Sequence, residues 1–195
     1  MTDTPETPPT EDPPTEDPRP ELHAAPSLVL VNTGDGKGKS TAAFGVVLRA
    51  VARGWRVAVV QFLKSGDWKV GEEESARKLG VDWWALGEGF TWDSDDLSKD
   101  QAVAQAAWKQ AAELITSGEY GLVVLDEITY LMTWGWISTD EVVATIRDRP
   151  EKVNVICTGR DAPAALIDVA DTVTEMRSVK HAYDRGIAAK KGIDY

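Results

Sequence analysis

The sequence has one cysteine, Cys157, in 195 residues. That excludes a disulfide framework within the chain and points to a reducing compartment, the cytoplasm. Its expected place is as a small buried residue at a strand end, the commonest setting of a free thiol. No apolar run approaches the ~20 residues that span a bilayer as a helix, so no membrane segment is expected. The start of the chain is acidic and proline-rich, unlike a secretory or transit leader. Basic residues are outnumbered, with 21 Lys and Arg against 32 Asp and Glu. The usual cationic footprint of a nucleic-acid-binding surface is therefore missing. Proline is scarce once the first 26 residues, which hold eight of the ten, are set aside.

That first stretch also accounts for much of the net charge of −11. Residues 1–26 hold seven acidic residues and one arginine, and "PPTED" at 8–12 is repeated at 13–17. With little apolar material to bury, 1–26 reads as a disordered, partly extended tail. Residues 27–195 are of a size that suits one domain with a full core.

From Ser27 onward apolar runs alternate with helical patterns. "LVLV" (28–31), "RVAVVQFL" (56–63), "VDWWAL" (81–86), "GLVVLDE" (121–127), "KVNVICTG" (152–159) and "DTVTEMR" (171–177) read as strands. Continuous apolar runs, rather than strict alternation, suit strands covered on both faces. Helices are expected over 40–53, 71–80 and 97–117, with Gly54, Gly80 and Gly118 as stops. In the third, Ala104, Trp108, Ala111 and Ile115 share one face. Ser138 and Glu141 have the spacing of a capping box before a fourth helix. The expected fold is α/β: a doubly wound, mainly parallel sheet of about six strands with helices on both faces.

The segment "LVLVNTGDGKGKSTAAFGVVLRA" (28–50) is strand, glycine loop, helix. Glycines let a backbone fold tightly and aim its N–H groups inward, while the next helix turns its positive dipole end to the same point. Lys39 is placed to reach phosphates and Ser40 to offer a hydroxyl to Mg²⁺. The spacing G-x-x-x-x-G-K-S would put the first glycine at 33, where this chain has Thr33, with Gly34 one place later. The loop is thus a variant phosphate cradle. A carboxylate closing an apolar strand is the other half of such a site, and "LVVLDE" supplies Asp126 and Glu127, either able to hold Mg²⁺ directly or through water. Guanine-specific enzymes carry Asn/Thr-Lys-x-Asp after a late strand. "TGRDAP" (158–163) stands there instead, which favours ATP.

"TGDGKGKSTAA", "GFTW" (89–92), "LDEITYLMTWGWI" (125–137), "TGRDAP" and "VTEMRSVKHAYDRGIAAKKGIDY" (173–195), in this order, closely resemble the corrinoid adenosyltransferases, over about Ser27 to Tyr195. The resemblance implies transfer of the 5′-deoxyadenosyl group of ATP to cobalt(I) of a corrinoid, with release of triphosphate. The loop would then grip a leaving group, and the shift at Thr33-Gly34 looks like the family's own variant. Thr33, Gly34, Asp35, Gly36, Lys37, Gly38, Lys39, Ser40, Thr41 and Arg160 become nucleotide contacts, Ser40 and Glu127 the Mg²⁺ ligands, and Asp126 the alternative acting through water.

Cobalt(I) is itself a strong nucleophile, so the protein's tasks are alignment and neutralisation of the leaving charge. The resemblance assigns Phe90 and Trp92 to excluding the lower axial ligand, which eases reduction of cobalt(II), and Lys39 to the chemical step. Packing on the core is the other reading of Phe90 and Trp92, and a solvated surface arginine that of Arg160. His181 is open between a substrate contact and a structural hydrogen bond. A flavoprotein reductase and a homodimer are the implied partners. The rival readings are a conventional phosphate-loop ATPase or small-molecule kinase, and a non-catalytic ATP-dependent corrinoid carrier.

Overall fold

A computed structural model of the chain describes residues 21–63, 70–86 and 97–194. Six strands, β1 Val29–Thr33, β2 Val57–Gln61, β3 Asp82–Ala85, β4 Leu122–Asp126, β5 Asn154–Thr158 and β6 Thr172–Glu175, alternate with helices. The helices are α1 Lys39–Ala52, α2 Gly71–Lys78, α3 Leu97–Thr116, α4 Ile128–Thr133, α5 Thr139–Arg147 and α6 Ala164–Val169. The strands form one sheet in the order β3-β2-β4-β5-β1-β6, and every pairing is parallel, where the sequence suggested a mainly parallel sheet.

Every residue of β2 and β4 is buried. Their side chains alternate between two cores because successive residues of a strand point to opposite faces. Ala58, Val60, Val123, Leu125, Val155 and Cys157 join Trp108, Ile115, Ile128, Ile146 and Leu166 on the face covered by α3 to α6. Val57, Val59, Leu122, Val124 and Ile156 join Ala43, Val47 and Ala76 on the face covered by α1 and α2. Helices on both faces make the sheet doubly wound. Burying an aliphatic side chain contributes about 1.5–3 kcal/mol each, so these two layers hold the strand order. Cys157 lies in the first layer, and burial pushes its thiol up to about 12, which keeps it unreactive.

The helix limits follow the sequence signals. Ala104, Trp108, Ala111 and Ile115 are buried on one side of α3, and the Ser138 hydroxyl accepts the Glu141 N–H at the start of α5. Gly54, Gly80 and Gly118, read as stops, all have positive φ. Two helices went unforeseen, α4 and α6, each of six residues. Among the described residues no helix is long and apolar enough to cross a membrane.

Candidate functional site

The loop begins one residue later than the common spacing because Thr33 is still part of the sheet. It pairs in register with Glu175, its carbonyl accepts the Met176 N–H at 2.8 Å, and its hydroxyl accepts the Ala162 N–H at 3.2 Å. The reversal falls on Gly34, whose φ of 88° suits glycine. Gly36 then passes so close to the exit of β6 that its N–H meets the Met176 carbonyl at 2.6 Å. A Cβ there would lie 2.7 Å from backbone atoms of Met176 and Arg177.

Helix α1 starts at Lys39 with Gly38 at its N-cap and no side-chain cap. Its first turn has no acidic residue, whereas α2 opens with Glu72, Glu73 and Glu74 and α5 with Asp140 and Glu141. Carboxylates in a first turn offset the positive end of the helix dipole. Alpha1 has a lysine there instead, which adds positive charge to positive charge. Uncapped N–H groups, the dipole end and an ammonium converge on one point, an arrangement that favours an anion.

Lys39 Nζ donates to the carbonyls of Gly34 at 2.8 Å and Gly36 at 2.7 Å, drawing the loop around it. Burial, and then the nearby Arg160 guanidinium, pull its pKa below the ordinary lysine value, while the carboxylates of Asp35, Glu127 and Asp126 pull it up. Arg160 Nε is 3.9 Å from Asp35 Oδ1. Its backbone is held from below, because the buried Thr129 hydroxyl donates to the Arg160 carbonyl at 2.6 Å. Arg160 is therefore a half-exposed side chain on a fixed stem beside the loop. Lys37 Nζ lies 2.5 Å from Asp194 Oδ1. Thr41 is exposed and lines a cleft of about 570 Å³ between α1 and α2, with Phe44 and Trp83.

Under the loop, the carboxyl ends of β2, β4 and β5 carry a buried polar chain. Asp126 has no exposed surface; Thr158 Oγ1 donates to its Oδ1 at 2.8 Å and Gln61 Nε2 to its Oδ2 at 2.9 Å. Gln61 Oε1 accepts the Trp83 indole N–H at 3.2 Å, and Thr158 Oγ1 accepts the Glu127 N–H at 3.0 Å. Asp126 is thus held as an acceptor of two protein donors. Glu127 follows in the left-handed region, φ 67°, which a non-glycine residue rarely adopts, and turns the chain sharply into α4. One turn into α4, Tyr130 is raised above its ordinary pKa by burial, with Arg160 opposing and Glu127 reinforcing the shift.

The structure brings residues 33–41, Asp126, Glu127 and Arg160 to one edge of the sheet. Phe90 and Trp92 lie outside the described residues. Gln61, Thr129, Thr158 and Asp194 were missed by sequence reasoning. The available signal was a polar residue closing an apolar run, as Gln61 closes "VAVVQ" and Thr158 closes "NVICT". His181 Nδ1 accepts the Tyr183 N–H at 3.1 Å, a local structural bond. Among the described residues no three His, Cys, Asp or Glu converge on a metal position. The donors beside the loop, the Ser40 hydroxyl and the Asp126 and Glu127 carboxylates, are hard oxygens. They suit Mg²⁺, which binds one or two carboxylates and takes other ligands from water and phosphate.

A parallel sheet that turns an uncapped helix start and an acidic strand end to the same carboxyl edge defines a phosphate-loop, nucleotide-binding α/β protein. Residues 26–195 match the family model described as ATP:corrinoid adenosyltransferase BtuR/CobO/CobP, and the chain belongs to that family. A corrinoid adenosyltransferase of Pseudomonas aeruginosa is 47% identical over 170 residues, covering 86% of this chain and 83% of that one. One from Escherichia coli K12 is 42% identical over 168 residues, covering 86% and 85%. The corrinoid adenosyltransferase CobA of Salmonella typhimurium is also 42% identical over 168 residues, with the same coverage.

Proposed function

We propose that this chain transfers the 5′-deoxyadenosyl group of ATP to the cobalt of a corrinoid, and that residues 33–41 hold the triphosphate that leaves. The observation that carries the assignment of the loop is the start of α1, where an uncapped, carboxylate-free first turn meets Lys39. The cobalt(I) lone pair attacks C5′ of ATP. The cobalt–carbon bond forms, the C5′–O bond breaks, and triphosphate departs with the bonding pair. No proton moves at the attacking atom, so no general base is needed there.

The residues then have two tasks. Lys39, Lys37, the Gly38 N–H, the hydroxyls of Ser40 and Thr41, and Arg160 neutralise and orient the departing oxygens, while Gly36, its N–H taken by the Met176 carbonyl, shapes the loop around them. Asp35 lies 3.9 Å from Arg160 across the loop mouth. Ser40 and Glu127 would hold Mg²⁺, with Asp126 acting through water; bound there, it would supply further positive charge to the triphosphate. Phe90 and Trp92 would cover the lower face of the corrin and keep an axial ligand from cobalt(II), which makes the metal easier to reduce. A flavoprotein reductase supplying electrons, a homodimeric assembly and a cytoplasmic setting complete the reading. The domain is assigned to 27–195, preceded by the acidic tail 1–26.

The deciding experiment is anaerobic incubation, in the dark, with MgATP and pre-reduced cobalamin or cobinamide. The expected products are a photolabile adenosylcorrinoid and triphosphate in equal amounts. ADP and phosphate, with no cobalt–carbon bond, would mean a conventional ATPase or kinase. Phe90→Ala is expected to slow reaction from cobalt(II) far more than from pre-reduced cobalt(I). Equal slowing would return Phe90 to a packing role.

A further inference from the structure

Two ammonium groups belong to the phosphate loop, and they are held by different kinds of acceptor. Lys39 is bound by carbonyls of the loop itself. Lys37 is bound by Asp194, a carboxylate from a distant stretch of chain, at 2.5 Å. That carboxylate is fixed by its own backbone. Asp194 Oδ2 accepts the Lys190 N–H at 2.7 Å, and the Lys190 carbonyl accepts the N–H groups of Ile193 at 3.0 Å and Asp194 at 2.8 Å. The Asp194 side chain is 23% exposed against 51% for Lys37, so the acid is the more enclosed partner and the lysine the more open to solvent. The Lys190 N–H, and then Lys37, hold Asp194 below the usual carboxylate range, which keeps it charged. Gly192 and Ile193 of the same turn line the cleft with Thr41 and Phe44. The turn is therefore seated against the start of α1, beside the loop.

We propose that Asp194 is a positioning residue that competes with triphosphate for Lys37. This rests on the reading of the loop as the triphosphate site. Asp194 holds the lysine at the loop mouth, yields it as triphosphate binds, and recaptures it as triphosphate leaves. A fixed carboxylate and a multiply charged anion on one ammonium repel each other, so occupancy of the loop loosens the 190–194 turn. The turn in exchange shortens the stay of a product that would otherwise be held by every group that assisted its departure.

The test is calorimetric titration of inorganic triphosphate, with Mg²⁺ present, into the wild-type protein, Asp194→Asn and Asp194→Glu. Removing a partly exposed competing ion pair should tighten binding in Asp194→Asn by about two- to fivefold, with Asp194→Glu nearer wild type. The inhibition constant of triphosphate in the adenosylation assay should fall by the same factor. A structural role alone would not raise affinity. Unchanged or weaker binding by Asp194→Asn overturns the proposal while leaving the loop's role intact. Absence of triphosphate binding by the wild-type protein overturns the reading of the loop as well. Hydrogen exchange on the wild-type chain gives a check independent of any variant. Saturating triphosphate should speed exchange of the Lys190 and Asp194 amides, and equal or slower exchange there counts against the competition.

Discussion

Gln61 and Asp126 sit on neighbouring strands in register, and the Gln61 amide donates to Asp126 Oδ2 across 2.9 Å with both side chains closed off from solvent. The other end of the same amide accepts the Trp83 indole, which fixes its orientation. Gln61→Leu takes a donor from a buried carboxylate and leaves a buried indole N–H without this acceptor. Each such loss costs about 1–3 kcal/mol. The urea midpoint should fall accordingly, with an unchanged slope. An unchanged midpoint would show that the amide contributes nothing to the fold.

Gly36→Ala should damage the loop rather than the fold as a whole. The added methyl would meet backbone atoms at 2.7 Å, which cannot rotate away as a side-chain end does. The Gly36 N–H to Met176 contact would open and the cradle would lose its shape. The expected result is ATP binding weakened tenfold or more, with a stability cost of about 1–3 kcal/mol. ATP titration by calorimetry beside a urea melt separates the two effects. Wild-type ATP affinity would mean that the exit of β6 does not shape the loop.

Lys39→Ala removes an ammonium that lies where the dipole of α1 and the loop N–H groups converge. Charge-assisted hydrogen bonds are worth about 1.5–3 kcal/mol, so kcat/KM for ATP should fall by roughly 10- to 150-fold. The loss should be the same whether cobalt(I) is made chemically or by a reductase if, as proposed, the lysine acts on the triphosphate. Retained activity would remove the cradle from the mechanism.

Tyr120 supplies a pH signature at the opposite edge of the sheet. Its hydroxyl donates to Asp82 Oδ2 at 2.9 Å, and the Arg56 guanidinium stacks 4.4 Å from its ring centre. Burial first, and then the Asp82 carboxylate, push the phenol from 10.0 up to about 12. The folded chain thus keeps a proton that the unfolded chain has released. The associated stability is complete below pH 10 and is lost as the pH climbs from 10 to 12. Urea midpoints measured across that window should fall less steeply for Tyr120→Phe. Identical slopes would mean that Tyr120 does not carry the effect.

Much of the architecture was legible because strands buried on both faces write themselves as unbroken apolar runs, as in "VAVVQ" and "LVVLD". Alpha3 was legible because twenty residues give a helical period room to show. Alpha4 and α6 were not, since six residues complete fewer than two turns and their apolar content merges with the neighbouring runs. In the site, the local part was readable: a loop and the helix it opens lie together in the sequence. Thr158 and Gln61 were not, because a polar residue at a strand end looks like the end of a strand. Their role emerges only when three strands come side by side. Asp194 was hidden for the same reason, as nothing near it in the sequence predicts contact with Lys37.

The sheet order also governs when recognition becomes possible. Beta1 carries the loop, β4 carries the acidic end, and β5 lies between them, paired to both through Val31↔Cys157 on one side and Leu125↔Cys157 on the other. A chain in which β5 has not yet docked owns both halves of the site but not the spacing between them. If that edge binds the nucleotide, as proposed, binding would reward only finished molecules. A ligand at a hundred times its dissociation constant stabilises the competent state by about 2.7 kcal/mol and gives nothing to a chain that cannot bind it. ATP would thus act as a late inspector of assembly: it draws the population toward completed sheets and withholds that help from any molecule whose central strand has come loose.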